Sequence, residues 1–198
     1  MLEIYELTDF NSVGTNDVKK QIILTETGRN YKDYINGLKY RYNKKNPFVP
    51  NYIVNKEGVI YKTLKDNQYS TFMEDEKVDK KAIIICLENL GWFTKNPLED
   101  KYINWIGDIY YKDVFKKKWR DHEYWDVYPK KQMISLSSLL KNICEENKIN
   151  KECIGHNVRY DGVEHFEGIV CRSNFDFNYK DVSPAFDFKL FKELLEND

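Results

Sequence analysis

The chain has no apolar run approaching the roughly 20 residues that a membrane-spanning helix requires, which excludes a helical span. No basic start followed by an apolar stretch opens it, so no secretory signal is expected and the chain is read as made in soluble form. No CxxC pair occurs among its four cysteines, Cys86, Cys144, Cys153 and Cys171. Cys86 and Cys144 fall inside apolar strand and helix patterns, so buried free thiols are expected rather than disulfides. Charge of one sign is also missing: the net charge is −1, which argues against a nucleic-acid partner held by phosphate neutralisation. No internal repeat, long polar tract or Gly/Ser- or Pro-rich linker interrupts the sequence. Residues 1–198 therefore read as one ordered domain, large enough to bury a core without disulfide or metal staples.

What is present fits a globular chain, with 41% hydrophobic and 32% charged residues. Aromatics reach 15%, including 15 Tyr, more than a core needs, so some are expected to line a surface or groove that stacks on sugar rings or on a partner.

Residues 20–25 (KQIILT) and 82–87 (AIIICL) are short apolar runs that predict buried strands, the second a central one. Tyr52-Ile53-Val54, the turn Asn55-Lys56-Glu57-Gly58, and Val59-Ile60-Tyr61 predict a hairpin, with Gly58 supplying the positive φ. Tyr31, Tyr34, Ile35, Leu38 and Tyr42 recur at helical spacing within residues 30–43. Leu136, Leu139, Leu140, Ile143 and Cys144 form one apolar stripe over residues 131–148, and a shorter helix spans residues 187–195. Strands alternating with helices predict an α/β fold, a mixed central sheet flanked by helices. Residues 20–90 form its first half and residues 131–198 supply the long helix and closing segment. Between them, residues 91–130 make a Trp-rich insertion, longer than a normal connection, which should carry short structure or function of its own.

Several stretches resemble one family in order and spacing. They are QIILTETG (21–28), NYIVNKEGVIYKTL (51–64), AIIICLEN (82–89), the helix after Tyr128-Pro129-Lys130-Lys131-Gln132, GIVCRSN (168–174) and DVSPAFDF (181–188). Together they resemble the N-acetylmuramoyl-L-alanine amidases shared by phage lysins and peptidoglycan recognition proteins, and phage-encoded members most. The resemblance implies a Zn²⁺ held by two histidines and an Asp or Cys, with a water in the open position.

Position by position, the resemblance puts Thr25 at the first ligand, Arg172 at the second and Asp181 at the third. A threonine hydroxyl is a poor zinc ligand beside imidazole, and arginine keeps its proton and has no lone pair to give. The family's catalytic Tyr-His hairpin position reads Pro50-Asn51, and Ile84 and Cys86 replace its central-strand Gly and Glu. No metal or other cofactor is therefore expected. Thr25, Glu26, Arg172 and Asp181 are expected to line a vestigial cleft, with Arg172 pairing with Asp181 by a charge-assisted hydrogen bond and Glu26 as a second partner. Were zinc bound, His156 with Asp181 would hold it; His122 has no ligand spacing, and His165 reads as a surface residue. Trp92, Trp105, Trp119 and Trp125 are candidates for stacking on glycan rings, against packing within the insertion. A carboxylate pair of Glu26 and Glu88 has no fixed separation and is set aside.

The resemblance thus implies a non-catalytic component of a phage particle, at the tail or baseplate. Its partners would be phage structural proteins or peptidoglycan, and it would be soluble in the host cytoplasm when made, then part of the virion or at the cell wall. The alternative is an active, zinc-dependent, endolysin-like amidase with unusual ligands.

Overall fold

A computed structural model describes residues 3–41, 46–99, 101–111 and 113–197. Its centre is a six-stranded sheet of β1 (Ile4–Glu6), β3 (Gln21–Glu26), β4 (Tyr52–Val54), β5 (Ile60–Lys62), β7 (Ala82–Leu87) and β13 (Gly168–Cys171), in the order β1-β5-β4-β7-β3-β13. The four strands β4, β7, β3 and β13 run parallel, and β5 runs antiparallel to β4. A two-stranded ribbon, β2 (Gly14–Thr15) with β6 (Gln68–Tyr69), lies apart from this sheet.

The apolar runs of β3 and β7 form central strands because their neighbours and the helices bury them on both faces. Successive side chains alternate between two cores. Ile22, Leu24, Ile83 and Ile85 pack with Leu136, Leu140 and Ile143 of α3 (Lys130–Asn147) and with Phe191 and Leu195 of α4 (Phe188–Glu196). Ile23, Ile84, Cys86 and Val170 pack instead with Leu38 of α1 (Tyr31–Tyr40) and Val78 of α2 (Glu76–Lys81). Each of these buried aliphatic or aromatic side chains contributes about 1.5–3 kcal/mol. Asn30, Asp75 and Asp187 cap α1, α2 and α4 by accepting backbone N–H bonds. The predicted first helix runs to Asn43, but Tyr42 and Asn43 lie outside the described residues.

The β4–β5 turn forms as its sequence requires. Gly58 has φ +84, and a Cβ there would also meet the Ser135 hydroxyl at 2.5 Å, so α3 packs directly on the turn. Asn51, at the hairpin's start, is a structural pin. Its amide donates to the Lys65 and Gln68 carbonyls at 3.0 Å each and accepts from the Ile84 N–H at 2.9 Å.

The Trp-rich stretch carries short strands. It forms a second, antiparallel sheet of β8 (Trp92–Lys95), β9 (Tyr102–Asn104), β10 (Ile109–Tyr110), β11 (Phe115–Trp119) and β12 (His122–Trp125), in the order β10-β9-β8-β12-β11. Two attachments, one buried and one half-exposed, hold this sheet to the rest of the domain. Asp126, fully buried, pairs with Lys56 at 2.5 Å and accepts from the Leu90 N–H at 2.8 Å. Arg120 donates to the carbonyls of Asn157, Ser173, Asp176 and Phe177, tying the β11–β12 turn to the closing segment. Among the described residues no helix is long and apolar enough to cross a membrane.

Candidate functional site

Parallel strands end at one edge of a sheet, and ligands of open α/β sheets bind in the crevice outside those carboxyl ends. Here the edge is formed by β3, β7 and β13. Register places Thr25 beside Cys86 and Leu24 beside Cys171, so Arg172, the next residue, emerges next to Thr25. The segment after β13 folds back and delivers Asp181 to the same point; the Ser173 N–H donates to the Asp181 carbonyl at 2.6 Å. Residues far apart in the chain thus meet because the sheet register leaves them no other place.

The Thr25 hydroxyl donates to Asp181 Oδ2, and the Glu26 N–H reaches the same oxygen at 3.4 Å. Arg172 Nη1 stands 3.9 Å from that oxygen. The two groups pair as expected, but as an ion-pair contact longer than the expected charge-assisted hydrogen bond, because the guanidinium is held elsewhere: it lies 4.0 Å over the Tyr179 ring and 5.4 Å from that of Phe72. Its Nε is buried without a hydrogen-bond partner among the described residues. Beside it the Tyr34 hydroxyl and the Cys86 sulfur are 3.3 Å apart, and burial pushes the Cys86 thiol up to about 12, so it stays protonated and un-nucleophilic.

Glu26 does not serve as a second partner of Arg172. Its Oε1 accepts from the Tyr128 hydroxyl and, at 2.6 Å, from the Ser183 N–H, because the side chain turns toward the closing segment. Enclosure there, reinforced by the charge of Asp181, raises the Glu26 carboxyl to about 8; the Tyr128 and Ser183 hydrogen bonds pull the other way and do not prevail. Glu88 is no partner for it in acid–base chemistry: its two oxygens accept from the Tyr31 and Lys56 N–H groups.

Two hollows meet over this cluster, and Glu26, Thr27 and Arg172 line both. The lobe under α1, about 370 Å³, is lined further by Arg29, Tyr34, Arg41, Phe72 and Glu74. The lobe under the insertion, about 280 Å³, has walls of Trp92, Trp105, Trp125 and Lys180. The four tryptophans divide. Trp125 is fully buried, donates to the Lys117 carbonyl at 2.8 Å and meets Trp119 edge-on, while Trp119 lines neither lobe. Trp92 stacks on His122 at 4.0 Å, and Trp105, 47% exposed, donates to the Gly28 carbonyl at 2.6 Å. Burial and the charge of Lys180 hold the His122 imidazole below its usual range, so it accepts from Lys180 Nζ at 2.9 Å.

These residues do not fit a zinc ion. At the three ligand positions Thr25 supplies a hydroxyl already donated to Asp181, Arg172 supplies a cation, and Asp181 alone supplies a carboxylate. Among the described residues no three His, Cys, Asp or Glu side chains come together as a ligand set. His156, the substitute ligand, sits in an exposed turn with its Nδ1 accepting from the Val158 N–H at 3.3 Å. His165 is exposed beside Glu164.

Sequence reasoning missed the partners of Glu26 and the role of His122. Tyr128-Pro129 and Asp181-Val182-Ser183 are both in the stretches that carry the resemblance, and that proximity to the motif was the available signal for Tyr128 and Ser183. His122 and Lys180 carry none.

The sequence matches the N-acetylmuramoyl-L-alanine amidase family over residues 15–168, a stretch that ends before Arg172 and Asp181. Curated protein sequences show no significant match. Among solved structures, the amidase LysC from Clostridium intestinale URNW superposes with a TM-score of 0.58 at 14% identity, covering 98% of each chain. AmpD gives 0.56 at 11% identity over 98% of this chain and 96% of its own. The amidase AmiD from E. coli, solved with anhydro-N-acetylmuramic acid-L-Ala-D-gamma-Glu-L-Lys, gives 0.58 at 12% identity over 93% of this chain and 60% of its own. At these identities the superpositions establish the fold, and the sequence match establishes the lineage: the chain belongs to the N-acetylmuramoyl-L-alanine amidase family.

Proposed function

We propose that this chain binds peptidoglycan in the cleft without a metal and without cleaving it, as a component of a phage particle at the tail or baseplate. The observation that carries the reading is the state of Asp181. Its Oδ2 is engaged by the Thr25 hydroxyl and the Glu26 N–H and faces the Arg172 cation, so positive charge is supplied by a side chain that cannot accept a water or polarise it by coordination. The two lobes support the binding half. An aromatic wall at Trp92 and Trp105 suits a sugar ring, and the arginine-lined lobe suits a peptide, so a muramyl peptide would cross the Glu26–Arg172 junction. The particle setting rests on the likeness of GIVCRSN and the insertion to phage-encoded members.

The test is sedimentation with purified sacculi in the presence of EDTA, with the supernatant assayed for released peptide. Retention with no release, unchanged by added zinc, is the expected result. Zinc-dependent release of peptide would show an active amidase, and no retention would remove the binding role. Peptides of the chain in purified virions would support the particle setting, and their absence would contradict it.

A further inference from the structure

The lobe under α1 carries more positive charge than its own structure uses. Three guanidinium groups, Arg29, Arg41 and Arg172, face about 370 Å³ of space, against one exposed carboxylate, Glu74. The other acidic group lining it, Glu26, has its carboxyl taken by Tyr128 and Ser183. Of the three arginines only Arg172 has an acidic side chain within ion-pair distance among the described residues, and that contact is long at 3.9 Å. Burial, then the charge of Arg41, lowers the Arg29 guanidinium from its usual range, and the charge of Asp33 offsets this only in part. Two like charges crowded into a half-buried hollow cost stability that an entering anion would relieve.

Two of the three groups are also held against rings. Arg29 lies 5.2 Å over the Trp105 ring, and Arg172 lies between Tyr179 and Phe72. Arg41 folds back along α1, its Nε 3.5 Å from where a Cβ would stand on Gly37. Arginines fixed against rings lose little further freedom on binding, and their planar forks match an oxyanion's two oxygens. Arg172 also has a buried Nε–H with no acceptor among the described residues.

We infer that the α1-side lobe is an oxyanion site in which Arg29, Arg41 and Arg172 receive a carboxylate or phosphate group of the wall ligand. The inference rests on the peptidoglycan-binding reading and adds a selection rule to it: the ligand must carry a free acid at this end. Carboxylates of a wall peptide and phosphodiesters of a wall polymer share this chemistry.

Tryptophan fluorescence of the full chain, with Trp105 beside Arg29, would be titrated with three probes: an acidic muramyl peptide, the same peptide with its carboxyls amidated, and poly(glycerol phosphate). The acid should bind about 10-fold or more tighter than its amide, and Arg41→Gln and Arg29→Gln should each bring that ratio close to one. Both variants would be checked for an unchanged melting profile, and Arg41→Gln, at the exposed end of α1, removes no side-chain hydrogen bond among the described residues. Tighter binding of the phosphate polymer than of the acidic peptide, lost in the same variants, would support the site and name phosphate as its source. Equal binding of acid and amide with weak binding of the polymer would overturn the oxyanion site while leaving the cleft a binder. Arginine-dependent binding of the acid without retention on sacculi would remove the peptidoglycan reading and keep the site. Failure of all three probes to bind would overturn both.

Discussion

A chain carrying Thr25→His and Arg172→His together gains zinc, approaching one ion per molecule, with a dissociation constant of about micromolar or tighter, equivalent to about 8 kcal/mol or more. The expectation follows from register. Residues 25 and 172 emerge from neighbouring parallel strands, and the Thr25 hydroxyl already touches Asp181 Oδ2, so both positions face the retained carboxylate. Imidazoles there would complete a His–His–Asp set with one position open, the arrangement the family uses. The double change also removes the cation that now neutralises Asp181, so binding the ion offsets a charge otherwise left unbalanced in a largely enclosed place. Equilibrium dialysis followed by elemental analysis reads the result, and a third change, Asp181→Asn, should abolish the gain. If the double variant folds and takes up no zinc, positions 25 and 172 are not where this frame holds a metal.

The second large effect is on stability against pH. The Glu26 carboxyl sits at about 8, against an ordinary value near 4.5. A carboxyl raised on folding contributes stability that is whole below the unfolded value and is lost as pH rises through the folded one. Between about pH 4.5 and 8 the unfolded chain has released this proton and the folded chain has not, which lowers stability by up to about 1.4 kcal/mol per pH unit. Glu26→Gln retains an acceptor for the Tyr128 hydroxyl and the Ser183 N–H and carries no proton to lose. Wild type should therefore lose about 2–4 kcal/mol more than the variant between pH 5 and 8. Lys19, lowered to about 8, and Asp79, raised to about 6, titrate in the same range but occur in both proteins and cancel in the difference. Denaturant melts at pH 5, 6.5 and 8 measure it. Parallel curves would show that the Glu26 carboxyl ionises as freely in the folded chain as in the unfolded one.

Burial separates what was legible in the sequence from what was not. Residues 82–87 form the strand their apolar run predicts because helices cover both faces and every position wants a hydrophobic residue. The stripe from Leu136 to Cys144 defines α3 for the same reason. β1 gives no such signal: Ile4, Tyr5 and Glu6 are exposed on the sheet's edge, and only backbone pairing with β5 makes them a strand. In the insertion, Phe115-Lys116-Lys117-Lys118 is exposed throughout, so neither face imposes an alternation. The β11–β12 register also shifts between Lys116 and Trp119.

The candidate site divides similarly. Thr25, Glu26, Arg172 and Asp181 could be collected from the resemblance, because strand ends in a fixed sheet have fixed neighbours. The turn of Glu26 toward Tyr128 could not, although Tyr128 lies in a stretch that carries the resemblance, since the two are 102 residues apart and meet only through the course of the loop after the insertion. Nor could the preference of Arg172 for Tyr179 and Phe72 over a close bond to Asp181, a competition between ring stacking and ion pairing that only coordinates resolve.

The central claim is that a side-chain cation has taken the metal's part. The most direct test is the zinc content of the native protein, measured after purification without added metal and again after zinc loading and desalting. Less than about 0.1 zinc per chain is expected both times, unchanged by Asp181→Asn. Close to one zinc per chain, lost in Asp181→Asn, would contradict it and return the cleft to zinc-dependent hydrolysis.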